Sequence, residues 1–119
     1  MSNEIITESK LETLTVTSEE RQTTCHCFYP FTTFVRVWKS TFLICNQTGT
    51  KVPVTHALNI PWYPNYILIP AKERFTLIFG SLPKECTSFD LVEQIPEPGG
   101  FESLNIQRNH TDVYTINFR

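Results

Sequence analysis

Cys25-His26-Cys27 is the most unusual local run in this 119-residue sequence, because thiolates and imidazoles serve both as metal ligands and in nucleophilic catalysis. On an extended strand, residues two apart share a face, so both thiols point one way and His26 the other. The three can then grip one metal only through a turn. Structural zinc usually takes a Cys-x₂₋₄-Cys pair plus a second such pair. Cys45 and Cys86 would complete a tetrad with Cys25 and Cys27 only if the fold gathered all four. They stand as weak metal candidates, and the expectation is no metal and no cofactor. An even cysteine count also fits two disulfides. Neighbours two apart on a strand do not readily bridge, so Cys25 and Cys27 would take Cys45 and Cys86 as partners. In a reducing compartment all four remain thiols and pack as small hydrophobes.

A cysteine nucleophile needs a histidine within reach and a group to orient it. The spacing of His26, His56 and His110 marks no such pair, and no oxyanion loop is recognisable. Asp90 with Glu93, or Glu93 with Glu97, comes nearest to the paired carboxylates of glycoside cleavage. Asp90 and Glu93 fall on opposite faces of one strand, however, and read as ordinary solvated positions. The chain is expected not to be an enzyme.

The aromatic residues carry more weight. Phe28, Tyr29, Phe31, Trp38, Phe42, Trp62, Tyr63 and Tyr66 crowd the first two thirds of the chain, more than one core layer requires. Most are expected inside. Trp62 and Tyr63, pinned between Pro61 and Pro64, are expected with Tyr66 on a rigid exposed loop as the binding residues. Amphipathic rings in such a setting anchor a partner protein or a flat sugar face. The acidic, proline-rich stretch 93–100 would border that patch.

The elements that must position these groups are strands. Sixteen threonines, ten isoleucines, nine phenylalanines and seven valines suit a pleated surface, and two alanines are poor stock for helices. Polar and apolar residues alternate over 11–18, 31–38, 88–93 and 113–118, and 41–45 and 75–79 are short apolar runs. In 51–58, Val52, Val54, His56 and Leu58 share a face, and Pro53 argues for an edge strand. About eight or nine short strands separated by turn signals every 8–12 residues indicate a sandwich or small barrel. Residues 1–10 are polar and aperiodic and are expected to be loosely ordered, leaving 11–119 as one domain.

Twelve acidic residues against ten Lys and Arg, spread along the chain for a net charge of −2, do not make a phosphate-binding surface, so nucleic acid is not expected. No run of about 18 apolar residues is present, so no membrane span is expected. The N-terminus lacks the basic and apolar regions of a leader, which places the chain in the cytoplasm unless a leader has been removed. The triplets at Asn46 and Asn109 that satisfy the glycosylation pattern are set aside on that ground.

One longer pattern carries a resemblance. Phe75-Thr76-Leu77-Ile78-Phe79, then Leu82-Pro83, then Ser88-Phe89-Asp90-Leu91-Val92-Glu93, and after a Pro/Gly loop Phe101 with Asn105-Ile106, resembles a group of small bacterial immunoglobulin-like proteins. It covers roughly residues 50–106. It implies a single immunoglobulin-like β-sandwich of 7–9 antiparallel strands, with Leu-Pro turning one strand into the next. It brings no catalytic residue with it. The functional expectation is a non-catalytic binding module for a partner protein, with self-pairing into a homodimer at an open strand edge as one form. A carbohydrate-binding or export-linked accessory module, and a small metalloprotein or enzyme using the Cys and His residues, are the alternatives.

Overall fold

Period-two burial shapes the central strands of the fold. The computed structural model describes residues 21–119; the segment 1–10 and the strand expected at 11–18 lie outside the described residues. Nine strands and no helix occur among the described residues: β1 (Thr23–Phe28), β2 (Thr33–Val35), β3 (Thr41–Cys45), β4 (Lys51–Leu58), β5 (Ile67–Ile69), β6 (Phe75–Phe79), β7 (Ser88–Glu93), β8 (Glu102–Gln107) and β9 (Val113–Asn117). In β1, β3 and β6 every second residue is buried and those between are half-buried, as the alternation of branched and aromatic side chains dictates. No helix long and apolar enough to cross a membrane is found among the described residues.

Seven strands form one sheet in the order β8-β7-β3-β4-β6-β1-β9, and β2 pairs with β5 as a separate two-stranded ribbon. All pairings are antiparallel except β1 with β9, which run parallel from Thr24↔Val113 to Phe28↔Asn117. The sheet curls until its two ends nearly meet. Phe101, just before β8, stacks on Phe118, just after β9, with centroids 4.9 Å apart, and Phe89 of β7 meets Tyr114 of β9 edge-on at 5.0 Å. Inside lie Phe75, Phe79, Phe89, Leu43, Leu77 and Leu91, all fully buried. Burial of each such side chain favours folding by about 1.5–3 kcal/mol.

Two expectations for β4 are overturned. It is interior, between β3 and β6, although it contains Pro53. The carbonyl of Pro53 faces Gly80, one residue past the end of β6, so the missing N–H falls where the ladder has already ended. A bulge between Val54 and His56 then reverses the facing, so Val52 and Val54 are buried while His56 and Leu58 are exposed.

Cys25 and Cys27 point inward and are fully buried, as expected, and His26 faces outward with Nδ1 2.8 Å from the Thr76 hydroxyl. One end of the barrel is tied by Asp112, a fully buried carboxylate at φ 55°. It accepts two bonds from Arg108 (both 3.1 Å), one from Arg21 (3.0 Å) and one from the Tyr114 hydroxyl (2.9 Å). Arg108 also donates to the carbonyls of Pro83 and Cys86, fastening the β6–β7 connection.

Candidate functional site

The loop after β4 is held against the segment that follows β2. The Val37 amide donates to Pro61 O (2.9 Å), and the Tyr63 amide donates to Val37 O (2.8 Å). Trp62 and Val37 thereby form a parallel bridge, and Tyr63-Pro64 is a cis peptide. This places the three expected binding residues in three different settings. Trp62 is half-buried, packed on the core, with the Lys39 ammonium 4.2 Å from its ring centroid. Tyr63 is exposed and lies flat on Trp38, with centroids 3.6 Å apart. Tyr66 is 60% exposed and meets Phe34 edge-on at 5.4 Å.

Phe34 pairs with Leu68 across the β2–β5 ribbon, both on its outer side, while Val35 and Ile69 face inward. Of the nine exposed large apolar residues among those described, Phe31, Phe34, Tyr63, Tyr66, Ile67 and Leu68 belong to this ribbon and its flanks. Beside the ribbon runs a cleft of about 350 Å³, walled by Tyr29, Phe34, Trp38, Tyr66 and Phe101.

Three charged groups set the polarity of the cleft. The Arg36 guanidinium lies 4.8 Å from the Tyr63 ring centroid, 5.7 Å from that of Trp38 and 5.8 Å from that of Tyr66. It donates to Pro64 O (3.2 Å) and pairs with Glu97 at 3.1 Å, joining the proline-rich loop to the aromatic one. Glu93, at the cleft floor, is the clearest correction to the sequence reading. Its carboxylate is buried, not solvated. It accepts hydrogen bonds from the Trp38 amide (2.9 Å), the Thr41 hydroxyl (2.8 Å) and the Phe101 amide (3.3 Å). Burial pushes its carboxyl above the ordinary range, although those bonds and the Arg36 charge pull the other way. Asp90, half-buried on the opposite face, accepts from the Asn105 amide instead (2.8 Å). The two carboxylates do not share a site.

The cysteines divide into two pairs. Cys25 and Cys27 stay mid-strand on β1, and burial raises the Cys25 thiol to about 12 and that of Cys27 well above its usual value. The pairing of Cys25 and Cys27 with Cys45 and Cys86 does not occur. All four are free thiols; Cys45 and Cys86 are neighbours, the Cys45 thiol donating to Gln47 Oε1 (3.7 Å) and the Cys86 thiol to Ser88 O (3.2 Å). Among the described residues no three His, Cys, Asp or Glu side chains converge as metal ligands would.

Arg36, Phe34 and Leu68 escaped the sequence reading, and Glu97, named there as a carboxylate partner of Glu93, pairs with Arg36. Phe34 and Leu68 join only through ribbon pairing, and Arg36 reaches Glu97 across 61 positions. The geometry defines an all-β protein with an aromatic cleft beside an exposed apolar ribbon. Comparison with protein-family models, with curated proteins and with solved structures finds no match for this chain.

Proposed function

We propose that this protein is a non-catalytic binding module of immunoglobulin-like type that docks a partner protein on the β2–β5 ribbon and the adjoining aromatic loop. The observation that carries the reading is the concentration of exposed Phe31, Phe34, Tyr63, Tyr66, Ile67 and Leu68 in the β2–β5 ribbon and its flanks. Contiguous apolar surface of this kind marks interaction sites, and Arg, Tyr and Trp are the residues enriched at binding hot spots. The immunoglobulin-like class is supported by the run from β6 through Leu82-Pro83 to β7, where the connection leads between strands that are not neighbours.

A partner protein is favoured over a flat sugar by the disposition of the rings. Tyr63 is covered by Trp38 and Arg36, Trp62 by Lys39 and the core, and Tyr66 stands at 81° to Phe34. Among these rings none presents a free face coplanar with a second for a sugar to stack on. An uneven apolar surface with a guanidinium and a carboxylate at its rim suits protruding side chains better.

The test is a displayed random-peptide library panned on the wild type and on the triple variant Phe34→Ser, Tyr66→Ser, Leu68→Ser. The reading expects selected peptides to lose at least about tenfold in affinity on the variant, ~1.4 kcal/mol. Peptides that bind both proteins equally, or no enrichment at all, would overturn it. Sedimentation of the wild type as a dimer that the triple variant abolishes would assign the ribbon to a second copy of the chain instead.

A further inference from the structure

We propose that Cys45 and Cys86 form a redox-active dithiol, the site of a reversible disulfide that clamps the β3–β4 turn to the β6–β7 connection. Cys45 closes β3, and Cys86 lies two residues before β7, the strand antiparallel to β3. The Asn46 amide donates to Ser88 O (3.0 Å), while the Gln47 side-chain oxygen accepts from the amides of Thr87 (2.8 Å) and Ser88 (3.1 Å). These bonds hold the two cysteine-bearing segments side by side and make the two side chains neighbours, with the Cys45 thiol donating to Gln47 Oε1 (3.7 Å) and the Cys86 thiol to Ser88 O (3.2 Å). Neighbouring inward-facing thiols on paired segments can bridge once they give up their bonds to Gln47 and Ser88.

The two sulfurs are unequal. Burial raises the Cys45 thiol, but the polar surroundings supplied by Cys86, Thr48 and the backbone at 47–48 outweigh it and hold the thiol below its ordinary value. Burial raises Cys86 to about 12, and the neighbouring Cys45 adds to that. Cys45 is thus the attacking sulfur and Cys86 the resolving one. All four cysteines are buried in the core, but Cys45 ends β3 and Cys86 lies in the β6–β7 connection, beside the exposed side chains of Asn46 to Thr50, Lys84, Glu85 and Thr87, whereas Cys25 and Cys27 sit mid-strand.

The oxidant class is a small peroxide. The Cys45 sulfur attacks one oxygen of hydrogen peroxide, the O–O bond breaks, and the departing hydroxide takes the thiol proton and leaves as water. The sulfur is then a sulfenic acid. Cys86 attacks that sulfur, the S–OH bond breaks, and the hydroxide leaves with the Cys86 proton as a second water. Two thiols have lost two electrons to one peroxide, and a dithiol reductant returns them.

The experiment treats the full-length protein with hydrogen peroxide, blocks remaining thiols under denaturing conditions with iodoacetamide, and maps peptides by mass. The expected result is loss of two hydrogens, one cross-linked peptide pair holding Cys45 and Cys86, alkylated Cys25 and Cys27, and reversal by dithiothreitol. The Cys86→Ser variant should leave a sulfenic acid on Cys45 that dimedone traps. Four alkylated cysteines, over-oxidation of Cys45 without a bridge, or a bridge that includes Cys25 or Cys27 would each overturn the proposal. The wild-type map decides the question even if the variant fails to fold.

Discussion

Glu93 and Asp112 are both buried carboxylates, yet their surroundings push them in opposite directions. Asp112 loses hydration by burial but gains Arg108, Arg21 and Tyr114, which outweigh that loss and hold its carboxyl below the usual range. Glu93 has hydrogen bonds and feels the charge of Arg36, but burial outweighs them and its carboxyl is raised. The consequences for stability follow by linkage. Asp112 stabilises the fold above the unfolded carboxyl value, and that contribution disappears as pH falls below about 4 through its depressed folded value. Glu93 does the reverse, because the folded state takes up its proton first, and stability rises as pH falls from above its folded value towards about 4.5. Urea unfolding across pH should show Glu93→Gln abolishing that rise, and Asp112→Asn flattening the acid loss on a lower baseline. At neutral pH Glu93→Ala should be worse than Glu93→Gln, since it strands the Trp38 and Phe101 amides at about 1–3 kcal/mol for each donor left unsatisfied. Arg108→Ala should cost about 3–5 kcal/mol by leaving a buried charge short of its main partner. The facing of Glu93 was legible, because it follows Phe89 and Leu91 with period two. Its burial was not, because two of the three donors that make burial tolerable, the Trp38 amide and the Thr41 hydroxyl, lie more than fifty positions away.

The short elements carry the candidate surface, and they were the least visible in the sequence. β3 and β6 appear where apolar runs placed them, while the strand expected over 31–38 shrinks to three residues of β2 and a bridge at Val37. The alternation of that stretch was legible; its partner was not. β5 contributes three residues, too few for periodicity to announce, and only their pairing turns Phe34 and Leu68 into neighbours. The turn 94–100 that walls the cleft is set by glycine. A Cβ on Gly100 would lie 2.5 Å from the Glu93 carbonyl oxygen, a backbone atom that cannot swing aside. Gly100→Ala should therefore move the turn off β7 and destabilise the fold by about 1–3 kcal/mol, as other overpacked sites do. Serine at Phe34, Tyr66 and Leu68, in contrast, should leave each thermal midpoint nearly unchanged, since substitutions at exposed positions lie within about 0.5 kcal/mol of neutral. Differential scanning calorimetry separates the two cases.

At the scale of the whole molecule, the all-β class and the strand positions were readable from branched and aromatic side chains recurring every second residue. The strand order β8-β7-β3-β4-β6-β1-β9 was not, because periodicity records which side of a strand is wet and says nothing of which strand lies beside it. The same holds for the one parallel pair, which joins the first and last described strands. Tension gives that pair a meaning that equilibrium does not. If residues 21 and 119 are drawn apart, β1 and β9 slide along each other, and the rungs from Thr24↔Val113 to Phe28↔Asn117 bear the load together. If residues 30 and 119 are drawn apart, both handles sit at the same end of the pair and the rungs open one after another. Single-molecule pulling should find a distinctly higher rupture force in the first geometry. The barrel would then resist stretching along its chain direction, like a rivet loaded in shear.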